Sequence, residues 1–377
     1  MGQVFALLPL YLRRVGVDPA EVPQWVGLFN PLIFLAGLPL VPLWGVWADK
    51  YSRKAVIVRS ALVEAVVLAG VAASTVPWHL AASLLLIGLS LGNTGVMLSA
   101  LRDEVPRERL GTAIALVGAA GPVGFAIGPA LAGVIVDGLG RPLSDVFVVS
   151  SVIMLVATLV LAFGMPESRP LVIPTGKTLS LAYGAIRSVF ADRATRTLFA
   201  LFGLMFGASQ MTGSYLPLLV ESVNGGQVGL VSAIGLVVGA AAIVGALVSP
   251  LAGALSDRIG FRPVLIVALF GGGGALALMT VATSIPILAV VATAFALFNS
   301  AGRAMIFGLL SVEVPAAQRS ATLNLVFLPL YLAGIIGPSI GSLLVLLGVP
   351  AVFAFGALAL AGGGLLVLRK APQPALR

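Results

Sequence analysis

Gly45-Val46-Trp47-Ala48-Asp49-Lys50-Tyr51-Ser52-Arg53-Lys54 is a short charged turn set between two long apolar runs. A second version, Gly253-Ala254-Leu255-Ser256-Asp257-Arg258-Ile259-Gly260-Phe261-Arg262, follows 208 positions later. In each copy a glycine precedes the end of a hydrophobic helix, an aspartate is followed by a basic residue, and a further basic residue opens the next helix. Internal repeats of this kind are the mark of membrane proteins built from two similar halves.

The composition agrees. The chain has 377 residues, of which 59% are hydrophobic and 10% charged, with a mean hydropathy of +1.11. Soluble domains carry about 25% charged residues, so a water-soluble fold is excluded. The 45 glycines and 24 prolines suit closely packed, kinked membrane helices. With no cysteine and a single histidine, His79, disulfides, thiolate or imidazole metal sites and cysteine nucleophiles are excluded. No metal and no cofactor are expected.

Crossing a bilayer takes about 20 apolar residues. Eleven runs qualify: 24–47, 54–76, 80–101, 112–136, 144–164, 196–220, 227–249, 263–283, 286–311, 319–345 and 350–368. Before them, Val4–Leu12 is apolar but short. Pro9-Leu10-Tyr11-Leu12 aligns with Pro217-Leu218-Leu219-Val220 at the same offset of 208. The repeat therefore predicts a truncated first helix in a plan of twelve. The expected organisation is a helical bundle over 1–164, a linker over 165–195 and a second bundle over 196–377.

Basic residues gather in alternate loops. With the Asp49 turn in the cytoplasm, Lys50, Arg53, Lys54, Arg102, Arg107 and Arg109 lie inside. So do five from Arg169 to Arg196, and then Arg258, Arg262, Arg319, Arg369, Lys370 and Arg377, seventeen in all. The other side holds Arg13, Arg14 and Arg141. The positive-inside rule then puts both termini in the cytoplasm. It also explains the net charge of +8 without a nucleic-acid partner. The linker carries Pro166, Pro170 and Pro174, and Leu179–Ala191 is predicted to lie as a short helix in the headgroup region. Gly176-Lys177-Thr178 resembles the tail of a phosphate-binding loop, but Leu171 stands where that loop needs its first glycine. Nucleotide-driven pumping is thus excluded, and any pumping must draw on a gradient.

The repeated turn resembles the signature loop of the major facilitator superfamily, found between its helices 2 and 3 and again between 8 and 9. Ser52 replaces the family's preferred glycine in the first copy, and Phe261 a frequent basic residue in the second. The resemblance covers the whole chain and implies an all-α membrane protein, two six-helix bundles working by alternating access. It implies a conformational latch made by Gly45, Asp49, Lys50 and Arg53, and by Gly253, Asp257, Arg258 and Arg262. The glycines would admit a neighbour from the other half, and the aspartates would pair with Arg53 or Arg262 or accept from helix N-terminal amides. The alternative is charge that serves topology alone. A second echo joins Gly124-Phe-Ala-Ile-Gly128-Pro129-Ala-Leu-Ala-Gly133 to Gly334-Ile-Ile-Gly337-Pro338-Ser-Ile-Gly341. These stretches predict Gly-Pro kinks in helices 5 and 11, and the first resembles the family's antiporter motif, with Ala132 as a departure. Helix 4 reads Leu84-Leu85-Leu86-Ile87-Gly88, without the arginine that proton-coupled drug exporters carry there.

Charge within a span is costly and marks candidates for function. Arg59 lies about 8 Å in from Lys54, a depth from which it can snorkel back. Glu64 lies about 15 Å in, a candidate for proton coupling or for a buried structural pair. Arg303 falls near the middle of helix 10, with Asn299 one turn earlier on the same face. Both are candidates for substrate contact, the alternative for Arg303 being an ion pair with another helix. Gln210 and Asn93 are further polar candidates, and Met205, Phe206, Met211, Phe298 and Met305 could supply an adaptable apolar wall. The expected protein is a monomeric secondary transporter in a bacterial inner membrane, not an enzyme. Proton-coupled efflux of small amphipathic compounds leads. An uptake carrier or uniporter for a small polar metabolite, or a chain inactive through loss of half its first helix, are the alternatives.

Overall fold

The computed structural model describes residues 2–167, 175–184, 186, 193–313 and 327–369. Their regular structure is wholly helical. The first half comprises α1 (Gly2–Arg14), α2 (Val22–Leu35), α3 (Gly37–Lys50), α4 (Arg53–Ala73), α5 (Pro77–Ile87), α6 (Asn93–Glu104), α7 (Arg107–Gly133) and α8 (Leu143–Gly164). After the short α9 (Thr178–Tyr183), the second half comprises α10 (Arg193–Asn224), α11 (Leu230–Ile259), α12 (Phe261–Met279), α13 (Ile285–Glu313), α14 (Phe327–Leu344) and α15 (Val349–Arg369). Alternation places the Asp49 and Asp257 turns on one face, here the basic face, and the ends of α1 and α10 on the opposite face. Arg169, Arg187, Arg319, Lys370 and Arg377, the start of the 319–345 run, and positions 185 and 187–191 of the expected interfacial helix lie outside the described residues.

Among the described residues ten spans are long and apolar enough to cross a membrane, which makes this a multi-pass membrane protein. The eleventh expected span is α10, 32 residues long. Its run Ser209, Gln210, Thr212 and Ser214 makes it the least apolar, although Tyr215 and Met211 beside that run are buried.

Two expected spans are interrupted, each for a local reason. Pro39 has no N–H for the Leu35 carbonyl, and α2 gives way to α3 at Ala36. The fourth span breaks between α5 and α6. Gly88–Ser90 is a single 3-10 turn, Leu91 is extended, and Gly92 has φ +89°, a left-handed conformation that glycine adopts without strain. The break lets two backbones touch, since a Cβ on Gly88 would lie 2.5 Å from the Gly37 amide nitrogen.

The halves meet through α7 with α11, α2 with α14, and α1 with α10. These contacts come in matched pairs, as an approximate two-fold axis between the halves dictates. Gly27 packs on the Pro338 carbonyl, where a Cβ would lie 2.6 Å from the oxygen. Gly235, 208 positions on, packs on the Pro129 carbonyl at 2.8 Å by the same measure. The two Gly-Pro stretches are thus the surfaces on which the opposite half rests.

These contacts occupy the opposite-face part of the molecule. They run from Gly133 against Ser232 to Gly239 against Ala126 on one side, and from Gly27 to Gly334 against Phe34 on the other. Near mid-depth Phe34 reaches both Phe5 (centroids 6.4 Å) and Tyr331 (6.0 Å), an aromatic floor shared by the halves. Toward the basic face Gly118, Gly121 and Gly124 of α7 meet nothing within 4 Å. Among the described residues, the close glycine contacts between α7 and α11 therefore lie on the opposite-face side of Gly124.

Candidate functional site

Three of the residues expected to touch substrate come from the second half. Two contacts set the rotation of α13. Ser300 Oγ donates to the Gly245 carbonyl of α11 at 2.6 Å, and Gly302 packs under Met205 of α10. Asn299 and Arg303, one turn apart, then both face α10. The two helices run antiparallel, so Arg303 meets Phe206 and Asn299 meets Ser209. The Arg303 guanidinium lies 5.6 Å from the Phe206 ring centroid, and Asn299 Nδ2 donates to Ser209 Oγ at 3.1 Å. Asn299 is 5% exposed, and its buried Oδ1 has no partner among the described residues. Gln210 follows Ser209 on α10 and is half-buried.

Among the described residues Arg303 has no carboxylate within ion-pair distance. The ring contact is worth about 1 kcal/mol. That is less than the several kcal/mol it costs to take a guanidinium out of water. Of the fourteen acidic residues in the chain, Glu64 alone stands in the interior of a span. It sits on α4, which packs chiefly against α8 within the first half. The interior of the second half therefore carries a lone positive charge.

In the first half, Asn93 opens α6 just past the break at Gly92. No hydrogen bond joins it to the Arg303 group among the described contacts. Arg59 does not snorkel to the basic face. Its guanidinium lies 3.7 Å from the Trp44 ring centroid, and Nη2 donates to Ser60 Oγ (2.8 Å) and the Leu91 carbonyl (3.2 Å). The break in the fourth span frees that carbonyl, and the stacking on Trp44 holds the arginine to it. Arg59 Nε and Nη1 are buried and have no partner among the described residues.

The turn residues lie on the basic face. Asp49 pairs with Arg53 (3.0 Å) four residues on. The amide of Ala55 is capped by Ser52 Oγ at 2.9 Å, not by the aspartate. Lys50 Nζ donates to the Gly176 carbonyl (2.5 Å) and reaches Thr178 Oγ1 (3.5 Å), so this turn holds the linker. Gly45 and Gly253 meet nothing within 4 Å, in place of the expected neighbour from the other half. Asp257 and Arg258 are exposed. Arg262 Nη2 donates to the Val367 carbonyl at 2.5 Å, a tie within its own half.

The kink residues do cross between halves or pack closely. Gly128 lies against Gln3, Gly133 against Ser232, and Gly337 against the Gly207 carbonyl and the Met211 amide.

Sequence reasoning missed the closure on the opposite face. Arg13 forms a bidentate pair with Glu221 (2.5 and 2.7 Å), to which Gln227 Nε2 also donates (2.8 Å). A π-turn over Val134–Gly138 aims Asp137 at the first turn of α11, and its Oδ2 accepts from the Ser232 amide at 2.7 Å. That carboxylate sits where the helix dipole favours it. A signal was available for the first pair. Arg13 and Glu221 are 208 positions apart, the offset of the repeat. Equivalent positions on helices beside a two-fold axis face one another.

A family model described as Major Facilitator Superfamily matches residues 2–234 and 227–377. Among curated relatives, "Multi-drug resistance efflux pump PmrA homolog" of Lactococcus lactis is 26% identical over 272 residues. "Multidrug resistance protein MdtG" of Salmonella typhi is 29% identical over 271 residues. Each alignment covers 71% of this chain and 65% of the relative, so the match spans just under two thirds of those proteins. Among solved structures, the nucleoside transporter NupG superposes with a TM-score of 0.76 at 15% identity, covering 98% of this chain and 95% of that one. The human organic anion transporter MFSD10 superposes at 0.69 and 19% identity, covering 97% and 95%. With both repeats matched by one family model and the whole helical arrangement shared, the chain belongs to the major facilitator superfamily of membrane transporters.

Proposed function

We propose that this chain is a secondary transporter that exports small amphipathic compounds by alternating access, driven by protons. The bundles over 1–164 and 196–377 rock about their shared axis, and the segment over 165–195 links them as a monomeric unit. One observation carries the reading: among the described residues the close glycine contacts between the halves lie toward the opposite face, while Gly118, Gly121 and Gly124 toward the basic face meet nothing within 4 Å, so that the space between the halves would open there. The excess of basic residues on that face argues for the cytoplasm of a bacterial inner membrane, with both termini inside. The state described is then open inward, ready to receive an export substrate. Arg303, Asn299 and Gln210 would bind it from one half and Asn93 from the other.

In the alternate state the basic face closes. Asp49 with Lys50 and Arg53, and Asp257 with Arg258 and Arg262, would then exchange their present contacts for partners across the halves. Gly45 and Gly253 would admit that approach. The kinks at Gly128, Pro129, Gly133, Gly337 and Pro338 would pivot. Glu64, the single acid inside a span, is the proposed proton carrier.

The names of the curated efflux relatives support export. The uncharged Leu84–Gly88 stretch favours the second reading, an uptake carrier or uniporter for a small polar metabolite. Reconstitution into proteoliposomes separates the two. Imposing a pH gradient and collapsing it with an ionophore should switch ethidium or carboxyfluorescein accumulation on and off. Movement of either dye unaffected by the gradient would refute proton coupling.

A further inference from the structure

The seam where α13 packs against α10 has a definite charge character. Arg303 stands alone there: no described carboxylate pairs with it, and α10 to α15 carry acids only near their ends, at Glu221, Asp257 and Glu313. Its one described contact beyond packing is the Phe206 ring, 5.6 Å away. One turn deeper, the buried Asn299 Oδ1 has no partner. One turn nearer the basic face, Phe307 is 38% exposed and packs edge-on to Phe202 at 5.3 Å. Along α13 the order is thus an unpartnered acceptor, an uncompensated cation and an accessible ring.

We propose that this seam borders a substrate pocket that selects anions: amphipathic carboxylates or sulfonates whose charge pairs with Arg303, whose hydrogen-bond donor meets Asn299 and whose apolar body lies along Phe307. The guanidinium offers two parallel N–H donors to such a group, a charge-assisted contact of the strong kind. The same pocket disfavours organic cations, because like charge would be brought together with no acid nearby to relieve it. The proposal rests on the transporter reading above and narrows it from amphipathic compounds in general to those bearing negative charge.

Carboxyfluorescein and ethidium, planar dyes of opposite charge, test it by fluorescence anisotropy on the purified full chain. The parent should bind carboxyfluorescein at least about tenfold tighter than ethidium, with the preference shrinking as salt rises. Arg303→Gln should weaken carboxyfluorescein about tenfold or more while leaving ethidium unchanged or tighter. Arg303→Lys, which keeps the charge but not the fork, should retain an intermediate affinity. If Arg303→Gln cannot be recovered folded, the parent's own preference and its salt dependence read the same charge. Ethidium bound as tightly as carboxyfluorescein by the parent, neither dye bound, or both weakened equally by Arg303→Gln would each overturn the proposal. Transport keeps the two readings apart. Ethidium moved without carboxyfluorescein sinks the anion pocket and spares the transporter. Carboxyfluorescein bound with the expected preference but never moved across a membrane spares the pocket and sinks the transporter.

Discussion

Replacing Gly235 by alanine would place a methyl carbon 2.8 Å from the Pro129 carbonyl oxygen and 3.1 Å from its carbon. Ordinary contact begins at 3.4 Å. Both atoms struck belong to the backbone of a packed helix, which cannot swing aside as a side chain would. Overpacking of this kind costs about 1–3 kcal/mol, charged only to the state in which α7 and α11 touch. The equilibrium should move toward a state open on the opposite face by about 5- to 150-fold. The chain has no cysteine, so single thiols report without background. Val231→Cys, at a site 5% exposed inside the closure, should label slowly with an impermeant maleimide. Adding Gly235→Ala should raise its rate by at least about fivefold. A thiol at Gly121, which faces open space, should label more slowly in the same background, because closing one face accompanies opening the other. Opposite signs at the two thiols distinguish rocking from loosened packing. A Gly235→Ala chain with unchanged rates at both, or faster rates at both, would refute the reasoning.

Three further expectations use the same reporters or simple assays. Arg13→Glu should speed Val231→Cys labelling, and the swap Arg13→Glu with Glu221→Arg should restore it, with a coupling of about 1 kcal/mol between the sites; additive effects would show that the pair contributes nothing. Asn30 is 0% exposed with neither amide atom partnered, so Asn30→Val should raise Tm in detergent by about 2 °C, and a fall would show an unseen partner. Asp49→Asn and Asp257→Asn should each cut transport at least about fivefold in chains that still elute as folded protein. Full activity in both would leave the duplicated turn with a topological role alone.

What could be read from the sequence followed the range of the interaction. The spans were legible because a bilayer imposes one length on every apolar run, and the Asp49–Arg53 pair because four residues make one helical turn. The cap on α4 by Ser52 was not legible, because it depends on where the helix begins. The break at Gly88–Gly92 was hidden because the interrupted stretch is as apolar as a continuous one. Its stabilising partner, Arg59, comes from another span. Contacts between halves depend on the rotation of each helix about its axis, and hydropathy carries little of that. Asn30 shows the limit: nothing near it in sequence indicates that it is buried, or that it has no partner. For Arg303 and Asn299 the shared face was legible from their spacing of four. That they look toward Phe206 and Ser209 was set by Ser300 and Gly302, small residues whose contacts only the fold reveals.

The pairing of Arg13 with Glu221 has a consequence for how such a molecule can be built. In a symmetric homodimer of either half, every group on the axis would confront its own twin, guanidinium against guanidinium or carboxylate against carboxylate. Self-complementary assembly can fill the axis with glycine and aromatic rings, but it cannot place opposite signs there. Joining the halves into one polypeptide removes that constraint, and this chain uses the freedom where its two copies touch at the rim.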